Sequence, residues 1–135
     1  MNVKLDTDAI RNIAAFAKLT GIQPRDCMNT EECLYFLIEP SKMLFAIGKN
    51  GSTVSRLRKA FRKNVKLFSY YDNPQAMAKG MVPQATDIRL EDGFVYVSIP
   101  MAEKSKVIGR RGGNIKAIKA ILKRHFAIED VKLRT

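Results

Sequence analysis

Two short stretches of this chain combine the residue types that hold an anion: Ile47-Gly48-Lys49-Asn50-Gly51-Ser52 and Ile108-Gly109-Arg110-Arg111-Gly112-Gly113. In each, an apolar run ends in isoleucine, and two glycines bracket two basic or polar residues ahead of a predicted helix. Glycine reaches positive φ and lets its backbone approach another chain with no Cβ in the way. A helix behind such a loop offers unpaired N–H groups and the positive end of its dipole, both of which favour phosphate. Lys49, Asn50, Arg110 and Arg111 then project from the loop tips toward the same anion. Arg58 and Arg62, and in the second stretch Lys119 and Lys123, run beside the apolar stripe of the following helix. The implied chemistry is non-covalent, with phosphates on a cationic edge and unstacked bases on an apolar floor.

Other chemistries find little support. A mononucleotide loop needs a glycine, four residues and then Gly-Lys-Ser/Thr, and neither stretch has that spacing. No nucleophile–base pair, metal cluster or cofactor motif stands out, so no enzyme, metal or cofactor is expected. Cys27 and Cys33 are too few for a disulfide framework or a four-ligand zinc site. His125 is the only histidine and reads as a residue at the end of a basic helix.

The two stretches belong to a longer repeat. A shift of 61 aligns Leu34–Lys63 with Val95–Arg124 without a gap, with identities at Tyr35/Tyr96, Ile38/Ile99, Ile47/Ile108, Gly48/Gly109 and Gly51/Gly112. Class matches extend it: Val54/Ile115, Leu57/Ile118, Arg58/Lys119, Phe61/Leu122, Arg62/Lys123 and Lys63/Arg124. Charge repeats as well. Residues 41–71 hold eight Lys+Arg and no acid, and residues 104–128 again hold eight and none. These windows carry two thirds of the 24 Lys+Arg, against 13 Asp+Glu, in a chain of net charge +11 and pI near 9.9. A solvated surface normally interleaves both signs, so this segregation points to an anionic ligand, with nucleic acid the first candidate. An acidic protein or an anionic lipid surface is the rival reading. Lipid-binding helices keep a bulky apolar face free to insert, whereas the apolar faces here look committed to a core.

The elements that must position the loops follow from periodicity. With 46% hydrophobic residues in 135, the chain can bury a core, and its length suits one ordinary domain or two small ones. Asp6–Leu19 reads as an amphipathic helix, capped by Asp6 or Thr7, with Ile10, Ile13, Ala14 and Ala17 inward and Gly21 as the stop. Strands are expected over residues 25–28 and 33–38, a short helix over 41–46, a helix over 52–63 and a strand over 65–70. Residues 72–84, with Pro74, Gly80 and Pro83, read as a linker. A hairpin over 85–90 and 94–99, a short helix over 101–107, a helix over 113–124 and a strand over 131–134 complete the second unit. The expected domains are 1–72, with an extra N-terminal helix, and 85–135, joined by the linker 73–84. Phe36, Phe45, Phe61 and Phe68 fall at apolar-periodic positions and are expected in the core. Ile47, Val54, Ile108 and Ile115 suit either core or groove, with core favoured. No apolar run is long enough to span a bilayer, and Met1–Asp8 lacks the features of a secretory leader, so a cytoplasmic monomer is expected.

On these residues the chain resembles a pair of KH domains, whose Ile-Gly-x-x-Gly signature is matched by Ile47-Gly48-Lys49-Asn50-Gly51 and Ile108-Gly109-Arg110-Arg111-Gly112. In that family the loop clamps the backbone of about four nucleotides of single-stranded nucleic acid. The resemblance implies an α+β fold of two type II KH-like domains in tandem, each a small mixed three-stranded sheet packed by helices. It implies RNA contacts at Gly48, Lys49, Asn50, Gly51, Ser52, Arg58 and Arg62, and at Gly109, Arg110, Arg111, Gly112, Gly113, Lys119 and Lys123. A tandem pair covering nearly the whole chain most resembles archaeal NusA-like transcription factors. That implies binding to nascent single-stranded RNA, with modulation of transcription elongation or termination, and RNA polymerase or a transcription complex as a further partner. Bacterial NusA relatives carry a polymerase-binding domain and an OB-fold domain ahead of the KH pair, neither of which is read here, so direct polymerase contact is not carried over. Ribosome assembly or RNA processing with the same two modules is the alternative within RNA binding.

Overall fold

The computed structural model describes residues 7–135; the cap expected of Asp6 and most of the Met1–Asp8 segment lie outside them. The chain divides into two compact units, one ending at Tyr70 and the other beginning at Tyr71. Among the described residues there are six α-helices and two mixed three-stranded sheets, an α+β architecture compatible with two tandem KH-like domains.

The first unit runs α1 (Thr7–Thr20), β1 (Asp26–Asn29), β2 (Cys33–Ile38), a 3-10 turn (Pro40–Lys42) into α2 (Met43–Ile47), α3 (Ser52–Phe61) and β3 (Asn64–Ser69). β2 is the centre of the sheet, antiparallel to β1 and parallel to β3. All six of its residues, Cys33-Leu34-Tyr35-Phe36-Leu37-Ile38, are buried, as an apolar run without polar alternation requires of a strand covered on both faces. Leu34, Phe36 and Ile38 pack with Ala9, Ile13 and Phe16 of α1 and Leu57 of α3. Phe36 is the hub, its ring centroid 4.5 Å from Phe16 and 5.6 Å from Phe61. Each fully buried side chain of this size stabilises by roughly 1.5–3 kcal/mol. The buried stripe of α1 is Ala9, Ile13 and Phe16; Ile10, expected inward, is 56% exposed. The large Phe16 ring has taken the core position, which rotates the stripe by one residue.

The second unit runs α4 (Pro74–Met81), β4 (Asp87–Glu91), β5 (Phe94–Ser98), a 3-10 turn (Met101–Glu103) into α5 (Lys104–Ile108), α6 (Gly113–Phe126) and β6 (Asp130–Arg134). Its sheet repeats the first, with β5 central, antiparallel to β4 and parallel to β6. The core takes Val95 and Val97 from β5 and Ala117, Ile118, Ile121 and Leu122 from α6.

The segment expected as a linker is corrected by α4. Asn73 is its N-cap, the side chain accepting from Ala76 N at 2.8 Å, and Pro74 stands in the first turn. Proline is favoured there because its missing N–H would be unpaired anyway. Pro83 follows the helix end, and Lys79 Nζ donates to the carbonyls of Pro83 and Ala85 at 3.0 and 2.8 Å. α4 packs on α6 and β4 and buries Met77, Ala78 and Met81. Each unit therefore has its own leading helix, not the first alone.

Candidate nucleic-acid interface

The two Gly-x-x-Gly stretches adopt one backbone conformation. Gly48 has φ 79, ψ 166 and Gly109 φ 79, ψ 173. Asn50 (φ 55, ψ 30) and Arg111 (φ 55, ψ 27) are left-handed, and so are Gly51 (φ 73, ψ 17) and Gly112 (φ 71, ψ 13). The loop closes through Gly51 N donating to Gly48 O, and Gly112 N to Gly109 O, each at 3.1 Å. The two glycines of each loop serve different purposes. A β-carbon on Gly48 would stand 2.7 Å from Thr53 N, and one on Gly109 would stand 2.9 Å from Asn114 N. The first glycine thus lets the loop lie flat against the next helix. Around Gly51 a β-carbon would meet nothing within 4 Å, and around Gly112 only the end of Lys116 at 3.8 Å. The second glycine leaves open space where another chain can approach.

Neither α3 nor α6 receives a side-chain cap; Gly51 and Gly112 occupy the N-cap positions. The positive end of each helix dipole therefore lies beside that open space, with Ser52 and Gly113 as the first helical residues. Lys49, Asn50, Ser52, Arg110 and Arg111 are exposed, while Gly113 is half-buried. Inside the second unit, Asn114 Nδ2 donates to Val107 O at 2.8 Å, which fixes the start of α6 against α5.

An open groove of about 390 Å³ adjoins the first loop, lined by Ile47, Gly51, Val54, Arg58, Val65, Lys66, Leu67 and Phe68. Its far wall is β3, which among the described residues is an edge strand paired with β2. Ile47 is 37% exposed and serves the groove, whereas Val54 is buried and contributes floor and core together. Ile108 and Ile115 of the second unit are half-buried. Phe36 lies in the core, Phe61 packs against it, and Phe68 stands in the groove wall with its ring stacked on Tyr35 at 5.7 Å. Phe45 corrects the expectation of a core role: it is 72% exposed, beside Leu44 at 83%. In the five-residue α2 only Ala46 is buried, since so short a helix turns a single position fully inward.

The structure also sorts the cations. Arg58 Nη2 donates to Val65 O at 3.3 Å across the groove, and Lys66 lies in its wall. Arg56 Nη2 donates to Leu19 O at 2.9 Å and Lys63 to Asn29 Oδ1, so these two tie the first unit together. Arg62 and Lys123, aligned in sequence, are not equivalent in space. Arg62 is the left-handed C-cap of α3, while Lys123 lies inside α6, whose left-handed C-cap is Ala127. α6 has 14 residues against 10 in α3. The sheet registers agree: Leu34 pairs Val65 and Val95 pairs Val131, so the shift of 61 becomes 66 at the closing strand. Lys119, in the place of Arg58, forms an ion pair with Asp130 at 3.1 Å, a residue that the sequence reading left out.

No family model matches the chain. Whole-chain relatives do. "Probable transcription termination protein NusA" of Halococcus morrhuae is 30% identical over 138 residues, which cover 98% of this chain and 99% of that one. The protein of the same name from Methanocaldococcus jannaschii is 27% identical over 140 residues, 97% of this chain and 75% of its own length. Among solved structures, the crystal structure of APE1850 matches with a TM-score of 0.78 at 26% identity, covering 96% of this chain and all of that one. Fold and relatives together define a two-unit α+β protein matched over nearly its whole length by relatives named as probable transcription termination proteins. The chain belongs to the archaeal NusA family of transcription termination proteins.

Proposed function

We propose that this chain is a non-enzymatic, monomeric, single-stranded RNA-binding factor that modulates transcription elongation or termination by gripping nascent RNA. In this reading each unit is a type II KH-like domain, and its Gly-x-x-Gly loop clamps the sugar–phosphate backbone. The carrying observation is the pair of loops with matching dihedrals, each with its second glycine open to space at an uncapped helix N-terminus. Beside the first loop, Ile47, Val54 and Leu67 offer a floor for bases, with Arg58 and Lys66 at its margin. Phosphate contacts give affinity and position, and base-edge contacts with the groove and the edge strand give selectivity. If both units engage one strand, their covalent linkage adds avidity on the order of 100-fold. The names of the relatives support the placement in transcription.

The test is binding of a short single-stranded RNA by the wild type and by Gly51→Asp/Gly112→Asp, at several salt concentrations. Loss of affinity in the folded variant supports the reading, and wild-type affinity refutes it.

A further inference from the structure

The repeat brings the same groove position under two different electrostatic regimes. At the start of β3, Asn64 Oδ1 accepts from Val65 N at 3.0 Å. At the start of β6, Asp130 Oδ1 accepts from Val131 N at 2.8 Å. The strand-starting device is the same, but the second copy carries a charge. Asp130 then engages Lys119 at 3.1 Å, and Lys119 stands where Arg58 stands in the first unit. Arg58 is held by a carbonyl, that of Val65, which orients the guanidinium and leaves its charge uncompensated. The Val131 N–H, and after it Lys119, hold the Asp130 carboxyl below its ordinary range, so it stays ionised at neutral pH.

We propose that the two grooves bind RNA unequally, because Asp130 withdraws Lys119 from phosphate while Arg58 remains available for it. The inference rests on the RNA-binding reading above. Only a cation that neutralises a phosphate, and so releases a counterion condensed on the RNA, contributes to the salt dependence of affinity. A lysine already facing a carboxylate neutralises a phosphate less fully and so releases fewer counterions from the RNA, and the carboxylate repels the incoming strand. Both side chains remain accessible, at 44% and 38% of their surface, so the pair meets the strand directly. The first unit therefore holds RNA along its groove, whereas in the second the matching groove cation faces Asp130.

The experiment is a salt titration of binding to a short random-sequence single-stranded RNA, with circular dichroism as a check on folding. Arg58→Gln is expected to reduce the slope of log affinity against log salt by about 0.7, the single-strand value for one phosphate. Lys119→Gln moves it far less. Asp130→Asn steepens the slope by a similar increment, and in that background Lys119→Gln takes the increment away again. Asp87→Asn is a matched charge change, since Asp87 pairs with Arg89 at 2.9 Å on β4, and it leaves the slope unchanged. A Lys119→Gln effect equal to that of Arg58→Gln with Asp130 intact would overturn the proposal, as would equal gains from Asp130→Asn and Asp87→Asn. Binding indifferent to Gly51→Asp/Gly112→Asp would instead overturn the assignment of the two loops on which the RNA-binding reading rests.

Discussion

Gly48 lies so close to Thr53 that a β-carbon on the glycine would stand 2.7 Å from the Thr53 backbone nitrogen. The contact separates two glycines that the motif treats alike. Gly48→Ala must both push back the start of α3 and hold φ near 79, a region that L side chains rarely occupy. A loss of about 3 kcal/mol in stability is expected, read as a lowered denaturant midpoint, and Gly109→Ala should behave alike. An unchanged midpoint would contradict the packing role of the first glycine.

Gly51 and Gly112 should separate binding from folding. Both sit in the left-handed region with open space around them, and aspartate tolerates that backbone at about 1 kcal/mol. Gly51→Asp and Gly112→Asp are therefore expected to stay folded by circular dichroism while each weakens RNA binding, through added negative charge and blocked approach. A variant that unfolds instead would assign the second glycine to structure.

Met77 tests whether α4 belongs to a folded unit. It is fully buried on a helix that packs against α6 and β4. Met77→Ala should destabilise by about 2–5 kcal/mol in chemical denaturation. A change under about 0.5 kcal/mol, the usual effect of a surface substitution, would return residues 73–84 to the status of a linker.

Most of the fold was legible because the signals were long. Fourteen residues of α1 and the six-residue apolar run of β2 leave few alternatives, and the loops announce themselves by glycine spacing repeated in frame. What was missed was short or depended on tertiary contact. Asn73-Pro74, Gly80 and Pro83 are breaker residues that also mark helix ends, and an eight-residue helix between them offers too little periodicity to decide. Phe45 sits in five helical residues, where any apolar side chain can be assigned inward. Asp130 lies two residues past an acid-free basic window, and only the turn after α6 brings it back onto Lys119. The four extra residues of α6 also break an alignment that sequence classes carry straight through.

Tyr35 predicts an alkaline response. Burial, and after it the neighbouring Cys33, push its phenol up to about 12 from an ordinary 10.0. The unfolded chain then loses this proton first, so stability falls as pH rises from 10 toward 12. Thermal unfolding of the wild type and Tyr35→Phe across that window should show a shallower decline in the variant. Burial likewise raises the Cys33 thiol, and Cys27 and Cys33 are both buried, so thiol reagents should label them only in denaturant. Parallel alkaline declines in the two proteins would contradict the assignment to Tyr35.

The most direct test of the account is selection and binding of a random single-stranded RNA pool at several salt concentrations, with wild type beside Gly51→Asp/Gly112→Asp. The account predicts binding that falls steeply with salt, enriches a short motif, and is lost in the folded double variant. Equal binding by both proteins without enrichment would mean that the +11 charge alone attracts RNA, and would contradict the assignment of the two loops.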